Sequence, residues 1–306
     1  MTTTQLLILD IKGNSLDDGP GIRTVVFFKG CPIDCVWCHN PESKSNEVEL
    51  SFDQTVCIGC DTCLEICHLD CLSRNNPYYI DRNTCDLCME CTETCPSGAL
   101  SQVGKLMEIE DVVQLILKDK PFFETSNGGV TLSGGEPTFN MEKTSKLMQA
   151  LKKEGIHILI ETCGFFNLSK FKELIYPYAD MIYYDIKIMD SVLHQQHCGV
   201  SNEIILNNFR ELNRDYQRGG IKVLPRTPLI PGITDTIENI KGLVEFYHAE
   251  GVTKTELLSY NPLWHEKNLM IGMKNILSSD EKMTKFADVK QEQECRRIIF
   301  EAGIEG

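Results

Sequence analysis

The chain has 306 residues, 42% of them hydrophobic and 24% charged, with 30 basic residues against 44 acidic ones for a net charge of −14. That length can bury roughly three quarters of the unfolded surface, enough for one large domain with an insert. The acidic balance argues against a phosphate-backbone footprint, so no nucleic acid is expected as the main partner.

Residues 1–13 show no basic leader, because their apolar run Leu6, Leu7, Ile8, Leu9 is broken by Asp10. No stretch approaches the ~18–20 apolar residues of a membrane span, so no membrane partner and a cytoplasmic location are expected. Short apolar runs rich in β-branched residues predict strands at 24–29, 130–132, 157–161, 181–187, 221–226 and 256–259. Between several of them, apolar residues recur at three- and four-residue spacing, as in 141–154 and 237–250, and predict helices. Strand–helix alternation implies an α/β fold with a parallel sheet, and six units suggest a partial or closed (β/α)6 barrel. In that class functional residues gather at the C-terminal ends of strands. Residues 51–104 interrupt the pattern as a cysteine-rich insert, which leaves 1–50 and 105–306 to the barrel.

Fifteen cysteines in a cytosolic chain point to metal binding rather than disulfides. Eleven fall into three tight runs, and Cys71, Cys163, Cys198 and Cys295 stand apart. The first run, Cys31, Cys35 and Cys38, is a CxxxCxxC directly after a predicted strand. A [4Fe–4S] cube normally takes four thiolates, so three on one loop leave one iron open, the mark of a catalytic centre. In radical S-adenosylmethionine (SAM) chemistry that iron chelates the amine and carboxylate of SAM. A zinc site borrowing His39, or unpaired structural cysteines, is the competing reading. Trp37 and His39 are expected to pack along the cofactor.

Ser133, Gly134, Gly135, Glu136 and Pro137 follow the second predicted strand. Paired glycines let backbone approach a ligand, and backbone carbonyls with the Glu136 carboxylate suit the SAM ammonium. Glu161, Thr162 and Cys163 end the next strand, and Asp185, Ile186 and Lys187 the one after. Alternation puts Asp185 and Lys187 on one face, Lys187 toward the SAM carboxylate and Asp185 as a hard oxygen donor. Arg226 is a further strand-end charge, read equally as a site residue or a structural ion pair. Cys163 and Cys198 are expected to pack as small hydrophobes.

The insert holds a repeat. The cysteines of CIGCDTCLEIC and CDLCMECTETC coincide at a shift of 28 residues. Two CxxCxxCxxxC runs have the two-cluster ferredoxin spacing, in which the fourth cysteine of each run serves the other cluster. Cys57, Cys60, Cys63 and Cys95 are therefore assigned to one cluster, and Cys85, Cys88, Cys91 and Cys67 to the other, against zinc ribbons as the alternative. Cys67 is followed by His68 where Cys95 is followed by Pro96, and Cys71 matches Ala99, a packing position.

Asp18, Gly19, Pro20, Gly21, Ile22 and Arg23, then Phe27 to Cys31, then Trp37, Cys38, His39, Asn40, Pro41 and Glu42 resemble the glycyl-radical-enzyme activating enzymes, of which the pyruvate formate-lyase activating enzyme is the type member. Gly134 to Pro137, Asp185 with Lys187, and residues 226–232 fit the same family. The resemblance implies a partial barrel, one SAM-binding cluster beside two auxiliary ones, and anaerobic transfer of a hydrogen atom from a partner's glycine to a 5′-deoxyadenosyl radical. It implies that Asp18, Gly19, Pro20 and Gly21 help hold the glycine loop of a glycyl radical enzyme. The insert is expected to relay electrons from a reduced flavodoxin or ferredoxin, or else to be a docking surface for the partner enzyme. A monovalent-cation site maps to Glu161, Thr162, Tyr183 and Asp185. Asn261, after Tyr260, maps to a SAM contact. Two other readings fit parts of the sequence. A radical SAM peptide maturase or small-molecule oxidase with auxiliary clusters would lack the DGPG segment. A non-catalytic electron-transfer protein would lack the open loop and the Gly-Gly-Glu.

Overall fold

The computed structural model describes residues 5–274, 277 and 279–306. Strand β1 (Gln5–Ser15) pairs antiparallel with β2 (Arg23–Phe28), whose RTVVFF is buried almost throughout. β-Branched and aromatic residues without polar alternation suit a strand covered on both faces. β3 (Glu49–Phe52) pairs antiparallel with β4 (Leu100–Val103), so residues 53–99 leave and return through one two-stranded gate. β5 (Lys105–Glu108) lies antiparallel on the free edge of β1.

From there strands and helices alternate. β6 (Gly129–Gly134), β7 (Ile158–Thr162), β8 (Met181–Asp185), β9 (Lys222–Pro228) and β10 (Glu256–Leu258) follow, each parallel to the one before, with β6 parallel to β2. Each of the six predicted strands is present. The sheet runs β10-β9-β8-β7-β6-β2-β1-β5 and has two ends, so the parallel barrel is partial rather than closed. Helix Met141–Lys153 shows why the connections are helical. Asn140 accepts from the Lys143 N–H at its start, Thr144, Leu147, Met148 and Leu151 are buried along one face, and Lys152 and Lys153 stand at its negative end.

The period of two sorts the strands into faces. Ile158, Ile160, Ile182, Tyr184 and Val223 belong to the large core beneath the helices. Leu159, Met181, Tyr183 and Leu224 form a small separate cluster on the concave face. One step on toward the C-terminal ends, that face carries Glu161, Asp185 and Arg226, so an apolar floor underlies a charged layer.

In the insert the repeat is structural. Helices Thr62–Ile66 and Glu90–Thr94 keep the 28-residue shift, and each starts after a left-handed residue, Asp61 at φ 64° and Met89 at φ 63°. Leu50, Leu72, Ile80 and Leu100 join Cys71, Tyr79 and Cys91 in its core. Among the described residues no helix is long and apolar enough to cross a membrane.

Candidate active site

The loop after β2 carries Cys31, Cys35 and Cys38 to the mouth of the sheet. It is fixed by backbone on both sides: Gly30 N–H donates to Ser43 O, Cys31 N–H to Lys44 O, Asp34 N–H to Cys198 O and Val36 N–H to His197 O, at 2.7–3.0 Å. Lys44 adds a 2.8 Å bond to Cys35 O. The three thiols line one cleft with Trp37, His39, Gly134, Gly135, Glu136, Glu161, Asp185, Lys187 and Arg226.

The two glycines are required by the protein itself. A Cβ on Gly134, at φ 102°, would stand 2.5 Å from Phe28 N, and one on Gly135 would stand 2.4 Å from Gly30 O. The end of β6 is thereby pressed against the cysteine loop. Glu136 is 2% exposed. Its carboxylate accepts from Thr138 N–H and Oγ1–H, Thr162 Oγ1–H and Cys163 N–H at 2.7–3.0 Å, so it ties the β6 turn to the end of β7.

The charged layer is a single network. Lys187 Nζ lies 3.1 Å from Asp185, and the Arg226 guanidinium lies 3.2 Å from Asp185 and 2.7 Å from Glu161. Ser133 donates to the other oxygen of Glu161 at 2.6 Å, and Arg226 stands 4.6 Å over the Tyr183 ring. Burial works against each charge. For Lys187 the Asp185 carboxylate and nearby thiols outweigh it and hold the ammonium protonated. Asp185 falls below the usual carboxylate range because Lys187 and Arg226 overcome its burial, whereas burial prevails at Glu161 and raises it. Burial, then Lys267, pushes His39 down to about 4, so its imidazole is neutral at pH 7. His39 Nε2 and Arg226 Nε are buried without a hydrogen-bond partner among the described residues.

Other expected residues lie elsewhere. Ile186 faces the helix-side core, its N–H donates to Arg226 O and its carbonyl accepts from Thr227. Asn261 does not line the cleft and accepts from Leu263 N–H at 2.9 Å; Tyr260 instead approaches, its ring 5.8 Å from His39. The Thr162 hydroxyl turns to Glu136, away from Asp185. Asp18, Gly19, Pro20 and Gly21 precede β2 and so stand at the opposite end of that strand from the cysteine loop, about 20 Å away at ~3.3 Å per residue. Asp18 O accepts from Thr131, and Pro20 O accepts from the buried Arg23. Cys163 lies against Cys31 and Cys198 against Cys35, closer to the site than isolated cysteines promise. The position of Cys163 just past a strand end was the available signal.

Comparison with known proteins matches residues 76–246, more than half the chain, to the radical SAM superfamily, and residues 17–65 to a 4Fe-4S single cluster domain. The isethionate sulfite-lyase activating enzyme of Oleidesulfovibrio alaskensis is 37% identical over 85% of each chain. The choline trimethylamine-lyase activating enzyme of the same organism is 33% identical over 97% of this chain and 96% of that one. The trans-4-hydroxy-L-proline dehydratase activating enzyme of Clostridioides difficile is 36% identical over 85% of this chain and 86% of its own.

This chain belongs to the glycyl-radical-enzyme activating enzymes, within the radical SAM superfamily.

A radical SAM methyltransferase from Sphaerobacter thermophilus, 13% identical, superposes over 98% of this activating enzyme and 75% of its own chain with a TM-score of 0.54, a likeness of fold alone. In the insert of the activating enzyme, Cys57, Cys60, Cys63 and Cys95 surround one small cavity. Cys67, Cys85, Cys88 and Cys91 surround a second, joined there by Cys71. The last cysteine of each run thus sits with the first three of the other. His68 Nε2 lies 3.2 Å from Asp86 at the rim of the second cavity.

Proposed function

We propose that this activating enzyme works with three [4Fe–4S] clusters, one at Cys31, Cys35 and Cys38 and two in a ferredoxin-like insert spanning about residues 51–104. The observation that carries the reading is the convergence of three thiols, the Gly134–Gly135 backbone and the Lys187–Asp185 pair on one cleft at the mouth of a parallel sheet. The enzyme reductively cleaves SAM to methionine and a 5′-deoxyadenosyl radical, which abstracts a hydrogen atom from a backbone glycine of a partner enzyme. The relatives' names place activators of lyases and dehydratases side by side, so the partner is assigned as a class, a glycyl radical enzyme.

When bound, the cluster on the loop supplies the electron and a coordination site for SAM. The chain's own residues do the rest. Lys187, held protonated, would meet the SAM carboxylate. The Gly134 and Gly135 carbonyls, backed by Glu136, would receive its ammonium, and Asp185 would serve as the hard oxygen donor beside Lys187. Trp37 and His39 wall the cleft on the side of the cysteine loop. The four residues mapped to a monovalent cation, Glu161, Thr162, Tyr183 and Asp185, do not fit one as arranged here, because Arg226 pairs with both carboxylates and the Thr162 hydroxyl is turned to Glu136. The partner's glycine loop reaches the charged layer from the side of Asp18, Gly19, Pro20 and Gly21, across the apolar floor. The crossed cysteine quartets support two auxiliary clusters, fed by reduced flavodoxin or ferredoxin. Eleven of the fifteen cysteines in runs suited to metal clusters support a reducing compartment, the cytoplasm.

The test is anaerobic reaction of the reconstituted enzyme with SAM, a reductant and its glycyl radical enzyme. A glycine-centred doublet in the electron paramagnetic resonance (EPR) spectrum is expected, with one 5′-deoxyadenosine per radical. Asp18→Ala is expected to lower radical yield severalfold while SAM binding holds. SAM cleavage with a small molecule modified and no doublet on the partner would overturn the assignment.

A further inference from the structure

Two buried side chains in the insert touch cysteines of the quartets without being needed as ligands. Tyr79 is 7% exposed and belongs to neither copy of the repeat. Its ring stacks on Phe52 of β3, centroids 4.0 Å apart and planes within 14°. Its hydroxyl lies 3.1 Å from Cys63 Sγ. The backbone at Tyr79 is left-handed, φ 64°, a conformation that a bulky residue rarely adopts and that is held here by a bond from Tyr79 N–H to Asn76 O and one from Ser73 N–H to Tyr79 O. In the other quartet Cys71 Sγ lies 3.3 Å from Cys67 Sγ, where the second copy of the repeat has Ala99. The quartets match in ligands and differ in what donates to them.

The difference has an electrochemical sign. A hydrogen bond to a ligating thiolate draws charge off the sulfur and favours the reduced cluster, which carries one more negative charge, so the reduction potential rises. A phenolic O–H is a full donor and a thiol S–H a weak one. We infer that Tyr79 donates its O–H to Cys63 and sets the cluster of Cys57, Cys60, Cys63 and Cys95 at a higher potential than the cluster of Cys67, Cys85, Cys88 and Cys91. Tyr79 acts through the ligand and is a positioning residue for the electron, which finds two unequal steps in the insert. The inference rests on the two-cluster reading of the insert given above.

The experiment is a potentiometric titration of the reconstituted holoenzyme followed by EPR, with the SAM-binding cluster identified by the change SAM makes in its signal. Wild-type iron and sulfide are measured first. About twelve irons per chain supports the two-cluster reading, and a chain with only the SAM-binding cluster overturns that reading and this inference with it. Tyr79→Phe keeps the stacked ring and removes the donor. One auxiliary midpoint is expected to move to lower potential while the other holds, and Cys71→Ala is expected to move the other midpoint by less. Unchanged midpoints in Tyr79→Phe at full iron content overturn the inference and leave the cluster count standing. Should Tyr79→Phe shed iron, a ring-fluorinated tyrosine at position 79 supplies the test. Its more acidic O–H must move the same midpoint upward, and no movement overturns the inference.

Discussion

Arg23 is buried, and among the described residues no carboxylate lies within ion-pair distance of it. Its Nε donates to Thr131 at 2.6 Å, Nη1 to Pro20 O at 3.1 Å and Nη2 to Val130 O, while Nη2 also lies 3.4 Å from His157 Nδ1. Burial lowers the guanidinium to about 10, which leaves it charged at pH 7. His157 must then offer a lone pair rather than a proton, and burial followed by Arg23 pushes its pKa below the ordinary value. The linkage has a definite sign. Below about pH 6.5 the unfolded chain takes up the imidazole proton before the folded one does, so stability falls as pH drops through that window. His157→Gln is expected to show a smaller loss of melting temperature between pH 7.5 and 6.0 than the wild type. The slope is not abolished, because His39 and His194 are shifted the same way. An unchanged slope would show that His157 does not titrate differently in the two states.

At the scale of elements, the six parallel strands were legible because each is a short apolar run with turn residues at its ends. β1 and β5 were not. The second half of β1 reads KGNS and is largely exposed, and β5 is four residues, KLME, on an edge. The cysteine loop, the Gly-Gly-Glu turn and the Asp185–Lys187 pair were readable as motifs. Alternation put Asp185 and Lys187 on one face and so implied that Ile186 faces the helices; what spacing could not give was the turn at Asn261 that leaves Tyr260 to reach His39. The glycine pair shows the same limit. The motif suggested room for a ligand, and the glycines do line the cleft; what it did not give is that β6 and the cysteine loop also meet at Gly135, where a Cβ would stand within 2.8 Å of Gly30 O and Ser43 O. Gly135→Ala is expected to cost about 1–3 kcal/mol, read by thermal unfolding. Because the strain falls on the loop of Cys31, 5′-deoxyadenosine formation should drop more than tenfold. A variant with wild-type SAM cleavage would separate the glycine from the loop's placement.

Across the whole molecule, the insert reaches the active-site loop through a third element. Arg82 of the insert donates to Leu50 O at 3.2 Å and to Met270 O at 3.1 Å, at the end of helix Trp264–Met270. From the same helix Lys267 reaches His39 O and Asn40 Oδ1 at 3.1 Å and Glu42 at 2.8 Å. An electron relay from the insert is expected to depend on who supplies the electron. Cys88→Ala should slow turnover with reduced flavodoxin or ferredoxin several times more than turnover with dithionite, which can reach the SAM-binding cluster directly. Equal losses with both donors would assign the insert a structural part.

The gate between β3 and β4 has a further consequence. Glu49 and Val103 face each other across one antiparallel pair, about 5 Å apart. A segment whose ends meet is a cassette. Closing it with a short turn would leave the pairing of the eight-stranded sheet intact and would remove the Arg82 bond to Met270 O. The insert can therefore be lengthened, trimmed or replaced at this one pair of strands while the eight-stranded sheet keeps its register.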